Sequence, residues 1–322
     1  MRICVFGAGA VGGHLAARLA AGGHEVSVVA RGAHLEAMRR SGVKLLHGDE
    51  IIRGRVRTEE LGPQEAIFVT LKANVLGSFA DAAPALMGPD TAVVFAQNGI
   101  PWWYPAELPR LDPGSILRRS IPMKNVVGAA VYSANEVVEP GVIRNFVPNN
   151  NMLVIGQASG KDSPMVHSLR SALEKAGISS PPTDDIRRSV WAKLVHNLAN
   201  SSLCLLTEAS ISDVVADPHL KELKNKVSAE ARAIAAALGV DIDKAPTRPS
   251  GGHASGALGH KPSMLQDYER GRPMEIEAQL MAPLALARAA GVATPTLDML
   301  IPLAAHKAAA KGLYKPRNEG VR

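Results

Sequence analysis

The run Gly7-Ala8-Gly9-Ala10-Val11-Gly12 constrains this chain more than any other stretch. It follows directly on an apolar segment, Arg2 to Phe6, and opens Val11 to Ala21, an Ala-rich stretch with helical spacing that stops at Gly22-Gly23. Strand, glycine turn and helix in that order give GxGxxG a physical meaning. Gly7 permits the tight turn, Gly9 lets the backbone approach a pyrophosphate, and Gly12 lets the helix pack closely on the strand. Ala8, Ala10 and Val11 complete a backbone cradle whose helix N-terminus faces the anionic phosphates. A merely glycine-rich turn is the alternative, and a second β-branched run in register, His24 to Ala30, argues against it.

Further short apolar runs, Ile67 to Leu71 and Thr91 to Ala96, are separated by helix-compatible stretches, which predicts an α/β fold with a doubly wound, Rossmann-type parallel sheet. From Val126 to Gly156 the chain turns β-branched with breakers at Pro140-Gly141 and Pro148-Asn149, read as an antiparallel extension finishing the sheet. A helix over Pro164 to Ala176 closes the domain, and Ser179-Ser180-Pro181-Pro182-Thr183 reads as a linker. Beyond it the pattern is helical nearly throughout: Asp185 to Leu206, His219 to Leu238 and Met274 to Ala290. A chain of 322 residues exceeds one compact core, so two domains are expected: residues 1–180 binding a dinucleotide, and an all-helical domain, residues 181–322, binding substrate.

Strand two ends in Val28-Val29-Ala30-Arg31-Gly32. An acidic side chain there would hold both ribose hydroxyls of NAD; Arg31 offers a planar cation for a 2′-phosphate and for stacking on adenine, which selects NADP. A solvated surface arginine is the alternative. The net charge of +6 comes from scattered Lys and Arg with no aromatic-interleaved stripe, which disfavours a nucleic-acid partner. No stretch approaches a membrane span. Cys4 and Cys204 suggest neither a disulfide framework nor a zinc site, and a reducing, cytoplasmic location is expected. His253 and His260 in the Ser250 to His260 loop lack a third ligand at fixed spacing, so no metal is expected.

A hydride acceptor needs a proton for the oxygen that gains charge and donors for its carboxylate. On the helix Trp191 to Ser201, Lys193, Asn197 and Asn200 share one stripe between apolar neighbours Val195, Leu198 and Ala199. Such a stripe is a site or a solvated face.

At this point the sequence resembles the ketopantoate reductases (2-dehydropantoate 2-reductases) over nearly its whole length. The resemblance rests on GAGAVG at 7–12, Arg31, Leu71-Lys72-Ala73, Gln97-Asn98-Gly99 and Pro140-Gly141-Val142. It continues through Trp191-Ala192-Lys193-Leu194 with Asn197, Ser263-Met264-Leu265-Gln266-Asp267, Arg272, Glu275-Ile276-Glu277 and Gly291-Val292-Ala293-Thr294-Pro295. It implies NADPH-dependent reduction of a 2-oxo acid to a 2-hydroxy acid, with ketopantoate and pantothenate biosynthesis as the leading assignment. It also implies Lys193 as general acid, Asn197 on the substrate, and Lys72 and Asn98 at the cofactor and substrate junction. Ala134 would touch the nicotinamide end, Ser263 would hold substrate, and Glu275 would lie close to both substrate and cofactor. Structural alternatives stay open: a plain turn at Asn98-Gly99, a capping box at Ser263 and Gln266, a surface role for Lys72, a structural cation at Lys193, and a first-turn acid at Glu275. Trp102-Trp103 reads as apolar packing, with a substrate lid as the alternative.

Two positions depart from the family pattern. Ser201 stands where a second substrate asparagine is usual, and Leu280-Met281 replaces an Asn-Gly pair. They leave room for another 2-oxo acid or ketone, or for a catalytically silent NADP-binding regulator. A homodimer is compatible with a helical domain of this size, though no interface is legible.

Overall fold

The computed structural model describes residues 1–59, 61–148, 150–160, 163–248 and 261–316. Those residues form two compact units. The first contains 1–97, 101–189 and 246–248; the second contains 98–100, 190–245 and 261–316.

The first unit is built on a six-stranded sheet ordered β10-β7-β6-β5-β1-β2. Its strands are β1 (Arg2–Phe6), β2 (Glu25–Val29), β5 (Gln64–Val69), β6 (Met87–Phe95), β7 (Val126–Tyr132) and β10 (Met152–Gln157). All pair in parallel except β10, which runs antiparallel to β7. Residues 3–6 and 66–69 are continuous apolar runs buried on both faces, as covered parallel strands require. Helices α1 (Ala10–Ala21), α2 (Gly32–Ser41), α3 (Gly77–Leu86), α4 (Ile116–Ser120) and α5 (Pro164–Lys175) complete the unit.

The expectation for Val126 to Gly156 needs correction. β7 continues the parallel sheet, and a second four-stranded sheet, ordered β4-β3-β9-β8, recruits β3 (Val43–His47), β4 (Glu50–Gly54), β8 (Asn135–Glu139) and β9 (Val142–Asn145). The reason lies in α1, where Gly12, Gly13, His14, Leu15, Ala16, Ala17 and Leu19 are all buried. A helix buried nearly all round needs cover on its second face. A Cβ on Gly13 would come within 2.7 Å of Ile143 in β9, and one on Gly54 within 3.1 Å of Ala17. Small residues let the second sheet lie directly on α1.

The Ser179 to Thr183 segment is not a loose connection. The Ser180 amide donates to Glu174 Oε1 (2.5 Å), its hydroxyl donates to the Leu153 carbonyl (2.7 Å), and the Leu153 amide donates to Ser179 (2.9 Å).

The second unit, among the described residues, is helical. It contains most of helix α6 (Ile186–Thr207), followed by α7 (Ile211–Ala216), α8 (Pro218–Ala237), α9 (Ser263–Glu269), a π-helical turn (Glu277–Met281), α10 (Ala282–Ala289) and α11 (Pro295–Ala310). Capping ties these helices together: Asp217 accepts from the first turn of α8, and Glu230 of α8 accepts from the Thr296 and Leu297 amides of α11, both at 2.8 Å. No described helix is long and apolar enough to cross a membrane.

Candidate active site

In the first unit the glycine turn is shaped by its own backbone. The Gly7 and Ala8 amides both donate to the Val29 carbonyl (2.9 and 3.1 Å), which ties the turn to the end of β2. Gly7 has φ +100°, a region that favours glycine, and a Cβ there would come within 2.7 Å of Leu71. A Cβ on Gly12 would meet Thr70 Oγ1 and the Gly7 carbonyl, whereas one on Gly9 would find nothing closer than 3.9 Å. Gly12 therefore serves packing, and the open space beside Gly9 is what a pyrophosphate needs. Ala10, Val11 and Gly12 form the first turn of α1, whose N–H groups have no intrahelical carbonyl to bind. This cradle fits a dinucleotide.

Two braces of the turn were not read from the sequence. Thr70 donates its hydroxyl to the Gly7 carbonyl (2.6 Å). The His34 Nδ1 accepts from the Gly141 amide (2.9 Å), leaving Nε2 to donate to the Ala8 carbonyl (2.6 Å), so the second-sheet turn at Pro140-Gly141 is linked to the cradle. A histidine three residues beyond Arg31 carries no spacing signal by itself.

Arg31 is exposed at the N-cap position of α2, immediately past the end of β2. Lys72 is half-buried after β5, where Gln97 Nε2 donates to the Val69 and Leu71 carbonyls (2.7 and 3.1 Å) and fixes the backbone on its amino-terminal side. Ala134, between β7 and β8, accepts at its carbonyl from the Phe146 amide (2.9 Å). Trp102 and Trp103 are buried at 3% and 2% exposure; Trp102 meets Phe95 edge-on at 5.1 Å, and Trp103 fills the space over Gly128. They pack the core, so the lid reading falls.

The second unit gathers the other candidates. Lys193 and Asn197 lie one turn apart on α6, both half-buried, and Asn200 follows with its Oδ1 buried and unpartnered among the described residues. Asn197 Nδ2 donates to Gln279 Oε1 (3.4 Å), and Gln279 Nε2 donates to Glu275 Oε2 (3.3 Å). The Gln279 amide also donates to the Glu275 carbonyl (3.1 Å). Glu275 precedes the helix that Ile276 begins, where its charge favours the helix N-terminus.

Against the same π-turn sits Asn98-Gly99-Ile100: the Ile100 amide donates to the Ala278 carbonyl (2.8 Å), and a Cβ on Gly99, at φ +88°, would meet that carbonyl. The turn thus docks as well as reverses the chain. The structure joins Asn197 and Glu275 through Gln279, which sequence reasoning missed, and docks the turn after Asn98 on the adjacent Ala278. The signal for Gln279 was an amide inside the apolar run Ala278-Gln279-Leu280-Met281.

Ser263 opens α9 after the N-cap Pro262, and its hydroxyl makes no capping bond; it is exposed, so the capping-box alternative fails. Ser201 and Leu280 are buried, at 3% and 0% exposure. No group of three or more His, Cys, Asp or Glu suited to a metal occurs among the described residues, and His253 and His260 lie outside them.

A glycine cradle on a doubly wound sheet and an amide–carboxylate line on a helical unit define an oxidoreductase of the Rossmann class. Residues 3–160 match the family model described as ketopantoate reductase PanE/ApbA, and residues 185–308 match its C-terminal model. The chain is 41% identical to a 2-dehydropantoate 2-reductase of Mesorhizobium japonicum, covering 98% of this chain and all of that one. A crystal structure from Ralstonia solanacearum MolK2 superimposes with TM-score 0.85 at 35% identity, covering 97% and 99% of the two chains. A PanE/ApbA family ketopantoate reductase from Ralstonia eutropha JMP134 gives TM-score 0.79 at 25% identity, covering 97% and 100%. The chain belongs to the ketopantoate reductase family.

Proposed function

We propose that this chain is an NADPH-dependent 2-dehydropantoate 2-reductase, reducing the ketone of ketopantoate to the alcohol of pantoate in pantothenate biosynthesis. The observation that carries the reading is the convergence of Asn197, Gln279, Glu275 and the Asn98 turn, with Lys193 one helical turn from Asn197. The 41% identity to a curated 2-dehydropantoate 2-reductase supports the substrate.

NADPH would be held by Gly7 to Gly12 through the α1 N-terminus, with Arg31 on the 2′-phosphate and Lys72, Asn98, Ala134 and Glu275 towards its reactive end. The bound cofactor supplies a hydride to the 2-carbon. The chain does the rest. Lys193 Nζ–H gives its proton to the former carbonyl oxygen as that oxygen gains the electron pair of the C=O bond. Asn98, Asn197, Ser201 and Ser263 hold the acid and its carboxylate by hydrogen bonds. In this reading residues 1–180 carry cofactor and residues 181–322 carry substrate.

Loss of nicotinamide absorbance with a panel of 2-oxo acids tests it. Turnover of ketopantoate that Lys193→Ala abolishes is expected. The buried Ser201 and Leu280 favour one second reading, the same chemistry on a different 2-oxo acid, which the panel would reveal; NADPH binding with no turnover at all would leave a silent regulator. A homodimer and a cytoplasmic location belong to the same proposal, and light scattering that returns the mass of one chain would remove the dimer.

A further inference from the structure

We propose that Gln279 is the positioning residue of this site, holding the Asn197 amide and the Glu275 carboxylate in one fixed geometry; the inference rests on the oxidoreductase reading above. Gln279 is 2% exposed and stands between Ala278 and Leu280, both buried. Burying a primary amide is costly unless both its ends are bonded, and a leucine would fill the same space without that cost. What the amide adds is two-sidedness. Its oxygen accepts from Asn197, which fixes which way that amide faces, and its nitrogen donates to Glu275, which sets the orientation of that carboxyl group. Neither an apolar side chain nor a carboxylate at neutral pH can do both.

The local backbone serves the same end. The π-turn Glu277–Met281 bonds i to i+5, a form found as single turns at functional sites. Gln279 grips Glu275 through main chain and side chain together, and the residue before it, Ala278, anchors the Asn98 turn. Gln279 thus joins Asn197 to Glu275, beside the carbonyl of Ala278 on which the Asn98 turn docks. It also returns an amide next to the position where Leu280 stands. The two side-chain bonds, at 3.4 and 3.3 Å, are long for hydrogen bonds.

Steady-state kinetics of Gln279→Leu and Gln279→Glu across pH test this. For Gln279→Leu, kcat/KM for the 2-oxo acid falls about ten- to a hundredfold at every pH, as expected for a buried pair left unsatisfied, while the KM for NADPH stays within about twofold. In Gln279→Glu a protonated carboxyl reproduces both bonds, its C=O accepting from Asn197 and its O–H donating to Glu275. Its kcat/KM therefore approaches the parent at acid pH and falls as pH rises through a transition the parent lacks, because two adjacent carboxylates resist joint ionisation. Parallel pH profiles for Gln279→Glu and the parent, or a Gln279→Leu loss of less than twofold, overturn the proposal.

Should Gln279→Leu not fold, Gln279→Glu still decides. Asn197→Ala and the double variant complete a cycle in which the double loss is smaller than the product of the single losses if Gln279 acts through Asn197. A parent that reduces no 2-oxo acid counts against the functional reading. The urea midpoints of the same cycle then still read the Asn197–Gln279 pair, and strictly additive midpoints overturn it.

Discussion

The glycine cradle of the first unit and the Gln279 cluster of the second differ in what they are made of. The cradle is backbone: amides held by Val29, a positive φ at Gly7, a close approach at Gly12 and open space at Gly9. The cluster is side chain: Asn197, Gln279 and Glu275 meet across two helical segments and are oriented by their own hydrogen bonds. A backbone site is sensitive to one added methyl group and indifferent to most polar changes. A side-chain site has the opposite sensitivities, and substitutions should separate them.

The largest expected effect is at Lys193. Lys193→Ala should lower kcat/KM by about 10²- to 10⁴-fold, the usual contribution of a positioned general acid, while the affinity for NADPH measured by fluorescence titration stays unchanged. A parallel loss of NADPH affinity would mean that the lysine serves the cofactor, and the division between the two regions would fail.

Next in size, the cradle glycines should part company. Gly12→Ala drives a methyl into Thr70 and the Gly7 carbonyl, and overpacking of this kind costs about 1–3 kcal/mol, readable as a lower urea midpoint without ligand. Gly9→Ala meets no neighbour closer than 3.9 Å, so its midpoint should match the parent while NADPH affinity drops by on the order of tenfold or more. Equal midpoints for both variants would contradict the assignment of Gly12 to packing.

That contrast also explains what could be read in advance. Glycines at fixed spacing, short apolar runs and helical periodicity are local signals, and the cradle, the parallel strands and the ranges of α5, α6 and α8 were legible from them. The second sheet was not, because β3 pairs β9 across about a hundred residues of sequence; its one local trace is that α1 is built mainly of Gly, Ala and Leu. His34 and Thr70 reach the cradle through tertiary contacts alone. Gln279 escaped because helical spacing is counted at 3.6 residues per turn, and the π-turn breaks that count where the site is built.

A smaller effect should appear at Arg31, which is exposed and therefore screened. Arg31→Ala should weaken NADPH about tenfold and leave NADH nearly unchanged, since only the former carries a 2′-phosphate for a charge-assisted bond. Equal losses for both cofactors would place Arg31 on the adenine, and no loss for either would place it outside the site.

The smallest effect per unit change concerns acid stability, and it too should divide the regions. His14, on α1 two residues past Gly12, is buried, and its Nε2 has no hydrogen-bond partner among the described residues. Burial, with Arg18 and His47 adding positive charge nearby, lowers its pKa to about 3. The unfolded chain binds a proton at the ordinary histidine value of 6.5. Between those limits the unfolded state holds more protons, so the stability is complete above pH 6.5 and is lost as pH falls, by up to about 1.4 kcal/mol per pH unit for this one group. His47, whose pKa is also lowered by burial and by Arg18, adds in the same direction. In the second unit the buried Gln279 amide is bonded at both ends and takes up no proton. Hydrogen exchange at pH 5 should therefore show α1, β3 and β9 losing protection before α6 and α10, and His14→Met should reduce that difference. Uniform loss across both units, unchanged in His14→Met, would show that the acid sensitivity of the fold does not originate beside the cradle.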